Sequence, residues 1–335
     1  VENKGTISGG NKSVGIYATN GTQVDNKTNG TIEVGGKDSI GILGLSYRID
    51  SKGNVVYEKF GTTGPSSPVN KLGTVDITNS GKITLDGENS LGIYAKNNSL
   101  DATGTNANYL RDSISYTKAA NNGEITMTGK NAIGMIVEGG IATNDTSGKI
   151  AISGQEGVAM YGTAITGAGM GSSPSKIHSE LNNNGTIELA DTTGTTPIIG
   201  MFTNDADTNI NTSGTINVGK KSYGIYGVSN SVVMSGGTIN VGESSFGIYS
   251  LSENGNIETT GTSVINVADK AIGVYKKAGT ANLGGIINVA DHNATDVNSE
   301  PVGVYGTSGV TITDNTSIFK VGDKSYGVIL ANPGL

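Results

Sequence analysis

Apolar and polar positions alternate in short bursts along this chain, and the bursts recur. Each reads Gly-x-Ile-x-Val, a polar turn, then an apolar residue, Gly, Ile and Tyr. It is plainest at Gly30–Leu43, Gly81–Tyr94, Gly214–Tyr226, Gly237–Tyr249 and Val264–Tyr275. Alternation of period two, as in Ile32/Val34, Ile83/Leu85, Ile216/Val218 and Ile239/Val241, predicts a short strand with one buried face. A turn dipeptide precedes it, such as Asn29-Gly30, Ser80-Gly81 or Asn122-Gly123, where the chain can bend sharply.

The glycine of the Gly-Ile-Tyr core anchors eleven copies, at Gly15, Gly41, Gly92, Gly134, Ala159, Gly200, Gly224, Gly247, Gly273, Gly303 and Gly327. A repeat of about 24 residues marks a solenoid. With a third, weaker strand (Ser231–Ser235, Asn256–Glu258 or Val310–Thr313) closing each turn, the pattern predicts an all-β fold, a right-handed parallel β-helix of eleven coils. At the interstrand spacing such a rod is about 50 Å long. The residues before and after the anchor are both apolar and are expected to point inward together. The tyrosine two places after it, at positions 17, 94, 161, 226, 249, 275 and 305 with Phe202 in register, is expected outside as a stacked ladder. Such a ladder is explained by structure alone, and is also a platform for a sugar or peptide.

The period breaks three times, with spacings of 51, 42 and 41 residues after Gly41, Gly92 and Ala159. The surplus is read as loops over about 44–72, 97–121 and 162–181, set on a single solenoid domain spanning 1–335. The first two loops hold the only arginines, Arg48 and Arg111, together with Tyr47, Tyr57, Tyr109 and Tyr116. Tyr and Arg are enriched at interface hot spots, and a coil needs neither, so these six are the candidate ligand-binding residues.

Composition narrows the function classes. Net charge is −7 with charges scattered singly, so no basic stripe exists to bind nucleic acid, and no basic amphipathic helix to lie on a membrane. Cysteine is absent, which suits a protein exported unfolded through a disulfide-forming compartment. The two histidines, His178 and His292, fall outside the repeat strands and are expected as solvated loop residues. Without cysteine or a histidine cluster no metal site and no cofactor is expected. The carboxylate pairs Asp205/Asp207 and Asp291/Asp296 are read as turn formers, and Gly167-Ala-Gly169-Met-Gly171 lacks the spacing of a dinucleotide loop.

The Asn-Gly-x-Ile-x-Val-Gly-x-x-Ser-x-Gly-Ile-Tyr pattern, carried by Gly214–Tyr226, Gly237–Tyr249, Gly81–Tyr94 and Thr316–Val328, resembles the passenger-domain repeats of large fusobacterial type V autotransporter adhesins of the RadD type. The resemblance covers nearly the whole chain. It implies a secreted passenger held at the outer membrane by a C-terminal barrel not included in this sequence. It also implies adhesion to a host protein, a glycan or another bacterium, and it specifies no binding residue. The expectation is therefore a non-enzymatic, monomeric piece of a longer surface adhesin. The alternatives are a polysaccharide lyase or glycosidase on the same fold, and a spacer that binds nothing.

Overall fold

The structure is a computed structural model that describes residues 1–19, 22–46, 75–97, 117–166, 176–205, 208–228, 231–293, 299–307 and 309–331. These residues form strands and turns, and every strand pairing is parallel except the short ribbon Ile165–Thr166 with Lys176–Ile177. The strands stack in three ladders, one strand of each per coil, as the sequence pattern predicts for a parallel β-helix.

The first ladder is built from the Ile-x-Val strands, such as Lys82–Leu85, Glu124–Met127, Thr215–Val218 and Thr238–Val241. Its register places Ile32, Ile83, Ile125, Ile150, Ile187, Ile216, Ile239, Ile265 and Ile287 in one column, all buried. Equivalent positions stack because each coil repeats the last at one strand spacing. Each buried isoleucine contributes about 1.5–3 kcal/mol of apolar burial.

The second ladder has eleven strands, one per anchor, from Val14–Thr19 to Tyr326–Leu330. The third is supplied by strands such as Thr22–Asn26, Val75–Asn79, Thr117–Asn121 and Ile257–Thr259. In the last coils the third and first ladders fuse into the long strands Gly279–Val289 and Val310–Val321, whose pairing slips between Leu283 and Gly285. Thr117–Asn121 was expected within the second loop. Its Ala119 is buried, so the coil resumes earlier than the loss of the repeat pattern implied.

The corner between the first and second ladders uses a left-handed residue that is not glycine. Lys12, Asp38, Asn89, Asn131, Glu156, Lys221, Ser244, Lys270 and Lys324 lie there, with φ between 54° and 62°. The strain is offset where the amide still reaches the next coil, as Lys12 to Lys37 O and Asn89 to Lys130 O, each at 2.9 Å.

Candidate binding face

The six loop residues singled out from the sequence, Tyr47, Arg48, Tyr57, Tyr109, Arg111 and Tyr116, lie outside the described residues. So do Asp207, Asp296 and the Gly167–Gly171 segment. What the structure resolves instead is the outer face of the second ladder.

That face corrects the sequence reading. The residue after the anchor is inward, as expected: Ile42, Ile93, Met135, Met160, Met201, Ile225 and Ile248 are fully buried. The residue before it is not. The strand Tyr223–Gly227 repeats a partly exposed, buried, buried, partly exposed, buried pattern that also holds in Phe246–Ser250, Ile272–Lys276 and Ile199–Thr203. Anchor and successor are both interior, so the alternation slips by one and turns the preceding residue outward. Glycine occupies ten of the eleven anchors without being required for the slip, since Val158–Thr163 shows the same pattern around Ala159. A Cβ on Gly41 would stand 2.5 Å from the Gly92 carbonyl oxygen and 2.9 Å from Ile83 Cγ2. At Gly41 a side chain would need the backbone to shift, and at the fifth anchor that position is held by Ala159.

Two outward columns result, one on each side of the anchors, with Ile136 and Val302 as buried exceptions. The tyrosine column is half-buried, with ring stacks Tyr226–Tyr249 at 5.3 Å, Tyr249–Tyr275 at 4.6 Å and Tyr275–Tyr305 at 5.6 Å, interplanar angles 8–12°. Phe202 joins it between Tyr161 and Tyr226. Leu43 and Ile136 occupy the same column in the N-terminal coils. In the other column Tyr223 and Phe246 lean across: Tyr223 is 5.6 Å from Tyr226 and 5.1 Å from Tyr249, and Phe246 meets Tyr249 edge-on at 75°. Burial, then the neighbouring tyrosines, raises the pKa of Tyr223 and Tyr249 above the ordinary phenol value. These phenols stay neutral donors at physiological pH. Near-parallel stacking along the rod commits those ring faces to one another, so a sugar cannot lie flat on the middle of the stack as the sequence had allowed. The column offers ring edges to a partner.

The histidines also depart from expectation. His292 is buried rather than solvated, with Nδ1 2.7 Å from Asp269 Oδ1. Burial alone would raise the Asp269 carboxyl, but the bonds from His292 and the Asn293 amide outweigh it and hold the pKa low. His178 is half-buried, 3.3 Å from Asp205 Oδ2, which also accepts from Thr208 Oγ1 at 2.7 Å. Asp205 thus ties a turn together. Among the described residues, no group of three or more His, Cys, Asp or Glu is placed to hold a metal ion.

Two features escaped the sequence reading altogether. Asn3, Asn26, Asn79, Asn121, Asn144 and Asn183 form a buried ladder, each Nδ2 donating to the next Oδ1 at 2.7–2.8 Å. The second amide hydrogen goes to backbone, as Asn121 Nδ2 to Lys149 O at 3.2 Å. Its signal was an asparagine two residues before the turn glycine, at 79, 121 and 183. The second is Lys276, fully buried where other coils carry a small residue such as Gly306 or Ser250. Its ammonium donates to Ser250 Oγ and to the carbonyls of Ser252 and Gly255, and burial lowers its pKa to about 8. No protein-family model and no curated protein sequence matches this chain.

Proposed function

We propose that this chain is the rod of a bacterial cell-surface adhesin, a non-enzymatic passenger held outside the cell by a separate anchoring domain. The supporting observation is the outer face of the second ladder. Two columns of apolar and aromatic side chains, partly exposed in most coils, run along the rod there as a continuous strip, unlike the singly scattered apolar residues normal on a soluble surface. The resemblance to autotransporter passenger repeats points the same way. In this reading the coils give reach and rigidity, and contact with the partner surface is made by side chains projecting from them.

The test is adhesion itself. Beads coated with the purified chain are expected to capture partner bacteria or host cells, and soluble chain should compete. Deleting 98–116, which joins Asn97 directly to Thr117, is expected to leave the circular dichroism and melting temperature near those of the parent. Beads that capture nothing above an unrelated β-helix of equal charge would reduce the chain to a spacer.

A further inference from the structure

The tyrosine column is continuous in one part of the rod only. Register places Leu43 between Tyr17 and Tyr94, Ile136 between Tyr94 and Tyr161, and Phe202 between Tyr161 and Tyr226. From Tyr226 the column then runs unbroken through Tyr249 and Tyr275 to Tyr305, where Ile329 ends it. Four phenols therefore stand on successive coils. Their rings lie within 8–12° of parallel at 5.3, 4.6 and 5.6 Å, the shortest step being Tyr249 to Tyr275. Phe246 wedges both rings of that pair from the neighbouring column, meeting them edge-on at 75° and 85°.

We propose that this run is a site of oxidative modification, at which a haem peroxidase with hydrogen peroxide joins Tyr249 to Tyr275 as dityrosine, a covalent tie between neighbouring coils. The rings are half-buried at the surface, within reach of an oxidant. The carbons that couple, ortho to the hydroxyl, lie on the ring edges and not on the faces committed to stacking. Each phenol also has the next one at stacking distance, so coupling within the chain has an effective concentration that a second molecule cannot match. Tyr17, Tyr94 and Tyr161 lack such a neighbour in the column, because a leucine, isoleucine or phenylalanine forms no phenoxyl radical. The tie also falls where the rod has no other of its kind. The buried asparagine ladder ends at Thr212, before the run begins, and without cysteine no disulfide can join the coils.

The chemistry balances with one peroxide. The oxidised haem takes one electron from each of two phenols, whose protons pass to water. The two phenoxyl radicals join by one bond between ortho carbons. Each ring hydrogen displaced there moves to the oxygen and restores the phenol. Two tyrosines and one hydrogen peroxide thus give one dityrosine and two waters. Only the folded chain and an oxidant are needed, so the reaction stands whether or not the rod is an adhesin.

The test treats the intact, dilute chain with a haem peroxidase and hydrogen peroxide, under conditions that couple free tyrosine. The expected product is a monomer that has lost two hydrogens and shows dityrosine fluorescence. On digestion it should yield one principal cross-linked peptide pair, holding Tyr249 and Tyr275. The oxidised chain should melt a few degrees higher, because the bond closes a loop in the unfolded state. Tyr249→Phe combined with Tyr275→Phe keeps both rings and their stacking, with circular dichroism reporting the fold, and should remove that product. Tyr94→Phe should leave it unchanged. Should the double variant unfold, the peptide map of the parent chain decides. The proposal is overturned if no dityrosine forms, if cross-links run mainly between chains, or if any other pair of tyrosines gives the principal product.

Discussion

The first six coils and the last five share one backbone but hold their coils together along the axis by different means. In the first part the axial contacts are polar and internal, the asparagine ladder from Asn3 to Asn183. That ladder stops where Asn183 Nδ2 reaches Thr212 Oγ1 at 3.3 Å, and Met234 and Thr259 follow in register. In the last part the axial contacts move outside. Asn217, Asn240, Asn266 and Asn288 hydrogen-bond in sequence at 2.7 Å on the outer side of the first ladder, and on the second the aromatic stack that starts at Tyr161 and Phe202 in the fifth and sixth coils continues to Tyr305. A parallel solenoid can place its side-chain stacking on either side of the wall. The two placements differ in cost of error, because a gap in a buried ladder strands polar groups and a gap in an outer one lets in water.

The largest expected effect ignores the difference. Ile125→Asp and Ile239→Asp, one in each part, should both unfold the rod at room temperature, since each buries an unpaired charge between coils. Near-native circular dichroism in either would show that the column is not packed as described. Next comes the contrast itself. Asn121→Leu should cost about 3 kcal/mol, because Asn79 and Asn144 each lose a buried partner, whereas Asn240→Leu on the outer ladder should cost under about 1 kcal/mol. Equal losses in chemical denaturation would erase the distinction.

The third effect is a pH dependence confined to the last part. Lys276 has a pKa of about 8 in the fold, below the ordinary lysine value of 10.5. Above pH 8 the folded chain releases this proton while the unfolded chain keeps it, so stability should rise from pH 8 towards 10.5, by up to about 3 kcal/mol. Tyr223 and Tyr249, with raised values, work against the rise above pH 10, since the unfolded phenols ionise first. Comparing the chain with Lys276→Met isolates the lysine. A difference in melting temperature that stays flat from pH 7 to 10 would mean the ammonium is solvated. Smallest is Tyr249→Ser, which removes the ring shared by two stacks and should cost about 1–2 kcal/mol, against less for Leu43→Ser in the same column.

Fold and period were legible because a solenoid writes its core once per coil. Ile32, Ile83, Ile216, Ile239 and Ile265 announce a column by their spacing alone, and the register bears it out. The orientation of the residue before the anchor was not legible. Strict alternation puts Tyr223 and Ile225 on one face, and only the inter-coil approach at the glycine shows that the alternation slips. His292 and Lys276 were missed for a related reason. Their burial follows from how a turn folds over them, and composition assigns a turn histidine or a strand-end lysine to solvent. The asparagine ladder was present in the spacing, but asparagine beside glycine reads first as a turn former.

The buried amides all donate in one direction, from each coil to the one that follows it in sequence. A completed coil therefore presents an unused side-chain donor at its leading edge and an unused Oδ1 acceptor at its trailing edge. The next segment to arrive finds a template of fixed polarity, and its own carboxamide is aligned before its strands have closed. Because each coil contacts only its neighbours and aligned amides polarise one another, every amide added strengthens the bonds before it, and the ladder carries one polarity from Asn3 towards Asn183. A coil added at either end of this stretch therefore meets a complementary group already in place, a donor on one side and an acceptor on the other.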